Sequence, residues 1–199
     1  MKFIGKTTIA LVAAFVISGG AAAAEWEVDL AHSSVGFAVK HMMVSTVRGS
    51  FNKYEAKVIF DDAKPEALQV EAKIDVNSID TRNAQRDAHL KSADFFEAEK
   101  HPQMIFKSKS AKSLGGGKYE VTGDLTMRGV TRQIVLKGEG FTPILDTPWG
   151  KKVTAARATA LINREDFGLT YNKALETGGF VVGKEVTIEL ELELTKKNG

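Results

Sequence analysis

Apolar and polar residues alternate with a period of two through most of this chain, the mark of strands with one dry and one wet face. Val35, Phe37 and Val39 oppose Gly36, Ala38 and Lys40. Tyr54, Ala56, Val58 and Phe60 oppose Glu55 and Lys57, with Ile59 breaking the pattern. Val70, Ala72, Ile74 and Val76 oppose Glu71, Lys73 and Asp75. Met104 and Phe106 begin a fourth run, Tyr119, Val121 and Leu125 a fifth, and Ile134 and Leu136 a sixth. Residues 153–163 read as a seventh, alanine-rich strand. The eighth is the most regular: Val186, Ile188, Leu190, Leu192 and Leu194 against Glu185, Glu189, Glu191 and Glu193.

Turn-forming stretches separate these runs: 61–65, Gly115-Gly116-Gly117 and Met127-Arg128-Gly129. Short connections of this kind favour antiparallel hairpins. Asp80 to Leu90 is different, with helix formers and no alternation; Asp80 is the expected cap. A second short helix is expected from Ser92, carrying Phe95 and Phe96, with Pro102 stopping it. The expectation is therefore an all-β antiparallel domain of about eight strands, with one or two short helices near residues 80–98. One-sided strands need a shared apolar interior, which a closed barrel or a two-sheet sandwich supplies.

The N-terminus changes the picture of where the chain works. Lys2 and Lys6 precede an apolar run from Ile9 to Ile17, and small residues follow to Ala24. This is the pattern of a cleavable secretory signal, with cleavage after Ala23 or Ala24. The run is too short to span a bilayer, so no membrane span is expected in the mature chain, 25–199. The whole chain has 27 Lys+Arg against 25 Asp+Glu, and the signal removes two lysines, leaving net zero. Bulk charge gives no support to nucleic-acid binding. There are no cysteines, which excludes disulfide staples, thiolate metal sites and cysteine nucleophiles.

Catalytic motifs are absent or fail on inspection. Gly178 to Lys184 has the spacing of a phosphate-binding loop, but Glu185 stands where Ser or Thr is required and a strand follows where a helix is required. Gly138-Glu139-Gly140 reads as a loop fragment. No G-x-S-x-G elbow occurs. His32 and His41 are nine residues apart and point to opposite faces of an uninterrupted strand, while His89 and His101 lie elsewhere. No metal site, cofactor or catalytic residue is assigned. Arg82, Arg86, Asp87, His89 and Lys91 crowd one or two helical turns; a solvated face is the simpler reading and a polar lid the functional one.

Several ordered stretches resemble the YceI-like family. They are Trp26-Glu27-Val28-Asp29 with His32 to His41, Arg48-Gly49-Ser50-Phe51, and Arg86 to Phe96. Pro102 to Phe106, Gly123 to Thr131, and Arg164-Glu165-Asp166-Phe167-Gly168 continue the series. The resemblance implies a lipocalin-like antiparallel barrel, exported to the periplasm of a Gram-negative bacterium. It also implies a polyisoprenoid, quinone-like or fatty-acyl molecule held inside, in a family not established as enzymes.

The expected apolar lining is Phe37, Val39, Phe51, Tyr54, Val58 and Ile74 from the first half. From the second half come Phe106, Val121, Leu125, Ile134, Leu136, Ile188 and Leu190. Small inward residues, among them Ala56, Ala72, Gly123 and the alanines at 156, 158 and 160, would leave room for a ligand. His32, His41, Arg86 and His89 are the candidate polar contacts at a barrel mouth. A carrier for a long apolar molecule is the leading reading. An enzyme using His32, His41 or His89 as acid or base and a solid interaction or stress scaffold are the alternatives, with a homodimer left open.

Overall fold

The computed structural model describes residues 23–61, 64–139, 141–176 and 178–197. Of the expected signal peptide, the charged start and apolar run fall outside these residues, while Ala23 and Ala24, at the expected cleavage site, are described and Ala24 begins the first strand. The strands are β1 (Ala24–Val28), β2 (Ser34–His41), β3 (Ser45–Phe51), β4 (Tyr54–Phe60), β5 (Gln69–Asp75) and β6 (Ile79–Asp80). After one helix, α1 (Ala84–Lys91), come β7 (Gln103–Gly115), β8 (Lys118–Met127), β9 (Val130–Glu139), β10 (Leu145–Asp146), β11 (Lys152–Asn163) and β12 (Val182–Lys196).

Every pairing between these strands is antiparallel, and the sheet closes on itself: β12 pairs with β11 along one edge and with β1 and β2 along the other. β1 with β2, β3 with β4, and β5 with β6 act as three bent strands. With β7, β8, β9, β11 and β12 they make an eight-strand barrel. Closure, not a sandwich, is the solution this sequence adopts. At the bend between β1 and β2 a side chain replaces the ladder: the Glu193 N–H donates to Ser33 Oγ at 2.9 Å, while the Asp29 N–H donates to the Glu193 carbonyl at 2.9 Å.

All eight alternating runs lie in the barrel wall, with their apolar sides inward. Two wall segments, β1 and β3, had no clear alternation. In β3 the inward positions are Val47, Gly49 and Phe51, and the middle one has no side chain to signal the period. Phe37 fills the place: a Cβ on Gly49 would lie 2.5 Å from Phe37 Cζ, across a directly registered pair. Gly123 in β8 is covered likewise by the ring of Phe106, 2.5 Å from where its Cβ would be.

The helix starts later than expected. Asn83, not Asp80, caps α1, its side chain accepting from the Arg86 N–H at 3.0 Å. Asp80 is held in β6 against Ser50, and its carboxylate accepts from the Arg82 N–H at 2.7 Å instead. No second helix forms at Ser92; the chain turns repeatedly to His101, with Glu97 in the left-handed region at φ +51°. Phe95 is nonetheless buried. Gly138 and Glu139, expected in a loop, end β9 and pair with Ala158 and Arg157.

The 79–102 segment and the 164–182 segment close one end of the barrel. Arg128, in the tight β8–β9 turn, ties them together. Its guanidinium donates to the carbonyls of Ala93 (2.8 Å) and Gly168 and lies 3.7 Å from the Glu97 carboxylate. At the other end Phe60 stacks on Phe141 with ring centroids 3.8 Å apart, near Trp26, which is 1 % exposed.

Candidate ligand-binding cavity

Between these two ends the barrel is not filled. Its interior holds a cavity of about 250 Å³, whereas well-packed interiors have few voids larger than a water molecule. Hydrophobic side chains form nearly all of its wall. It runs from Ile162, Val186 and Leu169 at the α1 end to Leu68, Leu192 and Leu194 at the other. Small side chains make the space: Ala56, Ala72, Ala156 and Ala158 all line it.

All thirteen apolar residues expected from the sequence lie around this cavity. Others had no such signal. Leu90 comes from the last turn of α1, Phe95 and Phe96 from the turns after it, and Leu169 from the stretch after Arg164, where no period marks the inward side. Phe51 contacts Phe96 edge-on at 5.9 Å, joining wall to closure.

The four candidate polar residues are placed differently, and none lines the cavity. His32 stands on the outer wall at the β1–β2 bend, 64 % exposed, with Nδ1 3.2 Å from Asp29 and 3.9 Å from Glu193. The hydrogen bond to Asp29 and the two carboxylates hold its imidazole above the usual pKa. His41 ends β2, paired with Ser45 and Val182. Arg86 donates through Nε to Thr81 Oγ1 at 2.7 Å and through Nη2 to the Thr81 carbonyl at 2.8 Å. Asp87 accepts from the same threonine, so both charges brace the start of α1. His89 Nε2 lies 2.7 Å from Asp94, and its ring meets Phe95 and Tyr171 edge-on.

Asp29, His32 and Glu193 are also a group whose ligand atoms lie within 4.8 Å of one another, on the outside of the barrel. The polar groups that do reach the interior are others. Tyr54 is 9 % exposed, and its hydroxyl has no hydrogen-bond partner among the described residues; burial pushes its pKa up. Arg164, 3 % exposed, also lines the cavity. It was visible in the sequence only as part of a motif, with nothing to say that it points inward.

The YceI-like domain model matches residues 26–194, nearly the whole described chain. This chain belongs to the YceI-like family. A UPF0312 protein of Staphylococcus aureus (strain N315) is 40 % identical over 168 residues, which is 84 % of this chain and 95 % of that protein. Two solved structures share the architecture. Burkholderia cenocepacia BcnA superposes with a TM-score of 0.74 at 29 % identity, over 83 % of this chain and 98 % of that one. The Campylobacter jejuni YCEI protein gives 0.68 at 33 % identity, over 85 % and 96 %. A polyisoprenoid binding domain from Saccharophagus degradans gives 0.62 over 86 % and 98 %, but at 13 % identity this is a likeness of fold alone. In this YceI-like chain no described helix is long and apolar enough to cross a membrane.

Proposed function

We propose that this YceI-like protein is a binding protein that carries one long apolar molecule inside its barrel. The cavity carries the reading: about 250 Å³, walled by hydrocarbon and running along the barrel. Val186 to Leu194 alone covers about 26 Å of strand at ~3.3 Å per residue. Each CH₂ moved into such a space contributes about 0.8 kcal/mol before ordering costs, so few polar contacts are needed. A fold shared with a domain described as polyisoprenoid binding supports a polyisoprenoid, quinone-like or fatty-acyl occupant. The histidines proposed as acid or base in an enzymatic reading all lie off the cavity wall, which favours carriage over turnover.

The expected place of action is the periplasm, reached through the cleavable segment 1–24. N-terminal sequencing of protein from the periplasmic fraction should begin at Ala24 or Glu25. For the carrier itself, gently purified protein is extracted with organic solvent and the extract analysed by mass spectrometry. A near-stoichiometric apolar molecule, or saturable uptake of an offered isoprenoid or fatty acid, is expected. An empty protein that takes up neither overturns the reading.

A further inference from the structure

Arg164 follows the last residue of β11 and is almost fully buried. Its side chain donates from Nε to the Gly183 carbonyl at 2.9 Å and from Nη1 to the Leu169 carbonyl. A longer contact at 3.4 Å runs from Nη2 to the Val182 carbonyl. Every partner is a neutral carbonyl. The adjacent acid, Glu165, is engaged by Lys184 at 3.0 Å, and no carboxylate among the described residues makes an ion pair with Arg164. A guanidinium keeps its proton in proteins and offers five N–H donors, of which these contacts use three.

A guanidinium thus lies buried beside an apolar cavity, and among the described residues no carboxylate is paired with it. Such a charge is costly unless something compensates it. Carbonyl dipoles do part of this, and burial still pulls the arginine pKa down. The site lies at the α1 end of the cavity, beside Ile162, Leu169 and Val182. From there the remaining space runs toward Leu68 and Leu194 through hydrocarbon. One end suits a charge and the length suits a chain.

We propose that Arg164 anchors the head of the carried molecule, and that the occupant is an amphiphile with an anionic terminus, a carboxylate or a phosphate, at the α1 end. This rests on the carrier reading and adds its polarity and orientation. A guanidinium pairs well with either anion through parallel N–H donors, so the two sources are separated by experiment.

Binding to the wild-type protein is compared for chain-matched pairs that differ only at the head: palmitate against hexadecanol, and farnesyl phosphate against farnesol. The anionic member of at least one pair should bind ten-fold tighter or more, and the pair showing the larger ratio identifies carboxylate or phosphate as the head. In R164Q the preference for the anionic member should fall toward unity. Alcohols equal to their anions in wild type overturn the anchor and leave the carrier intact; no binding of any of the four overturns both. A preference that survives unchanged in a folded R164Q also overturns the anchor. Because the matched pairs are measured on wild-type protein, the proposal stays decidable if R164Q fails to fold.

Discussion

Phe37 and Gly49 face each other across β2 and β3, and the phenylalanine ring occupies the volume a side chain on residue 49 would need. A Cβ there would also meet Thr81 Cγ2 at 2.8 Å. G49A should therefore overpack the wall and lower stability by about 1–3 kcal/mol, seen as a reduced Tm. Combining it with F37L should restore part of the loss, because the two positions share one space. Purely additive losses would show that the ring is not the obstacle.

The two faces of β12 should respond oppositely. Leu190 lines the cavity and Glu189 lies outside, 3.5 Å from Arg48. L190D puts a carboxylate into hydrocarbon and should cost about 2–5 kcal/mol or empty the cavity. E189Q removes an exposed ion pair and should change stability by less than about 1 kcal/mol. Denaturant titration of both variants, with ligand content measured alongside, decides the inward assignment.

Stability should depend on pH through the outer bend. His32 has its pKa raised by Asp29, first through the hydrogen bond. Its contribution is complete below its ordinary value of 6.5 and is lost as pH rises through the higher folded value. Asp29 is lowered, chiefly by the His32 hydrogen bond and then by the Ala31 N–H. Its contribution is present above 3.8 and fades as pH falls through the lower folded value. The pair therefore contributes most between those two ordinary values. Thermal melts across pH should show H32Q flatter than wild type on the alkaline side of this window; superimposable profiles would count against it.

Arg128 holds the closing segments through Ala93, Gly168 and Glu97. R128A removes charge-assisted hydrogen bonds to one exposed and one half-buried carbonyl, at about 1–3 kcal/mol in total, and should loosen the end more than the wall. Hydrogen exchange in residues 92–101 should accelerate while β12 stays protected. Uniform acceleration would mean the contacts serve global stability instead.

The barrel wall was legible because water touches one side of each strand. Glu189, Glu191 and Glu193 mark the outside as plainly as Leu190 and Leu192 mark the inside. Gly49 hid β3, since an inward position filled by a ring from the next strand carries no apolar letter of its own. The closing end was harder. Leu90 sits in the short helix α1, and Phe95, Phe96 and Leu169 in irregular segments, where no strand period distinguishes in from out. Asp80 and Asn83 are both good caps by composition, and only the β6 pairing of Asp80 decides between them. Polar candidates fared least well: a histidine or arginine is the same letter at the surface, as His32, or in the interior, as Arg164. Depth comes from tertiary packing, and the residue type does not encode it.

The place of β1 between β4 and β12 has a consequence for the order of events in a cell. A chain grows from its N-terminus, yet β1 needs β12 for a partner. Until residues 182–196 emerge, β1, β2 and β11 each keep an unpaired edge, and the greasy interior has no seal. Closure through such distant partners is slow compared with local hairpin formation. Nascent chains should thus remain open, and dependent on whatever shields them, until β12 is in place.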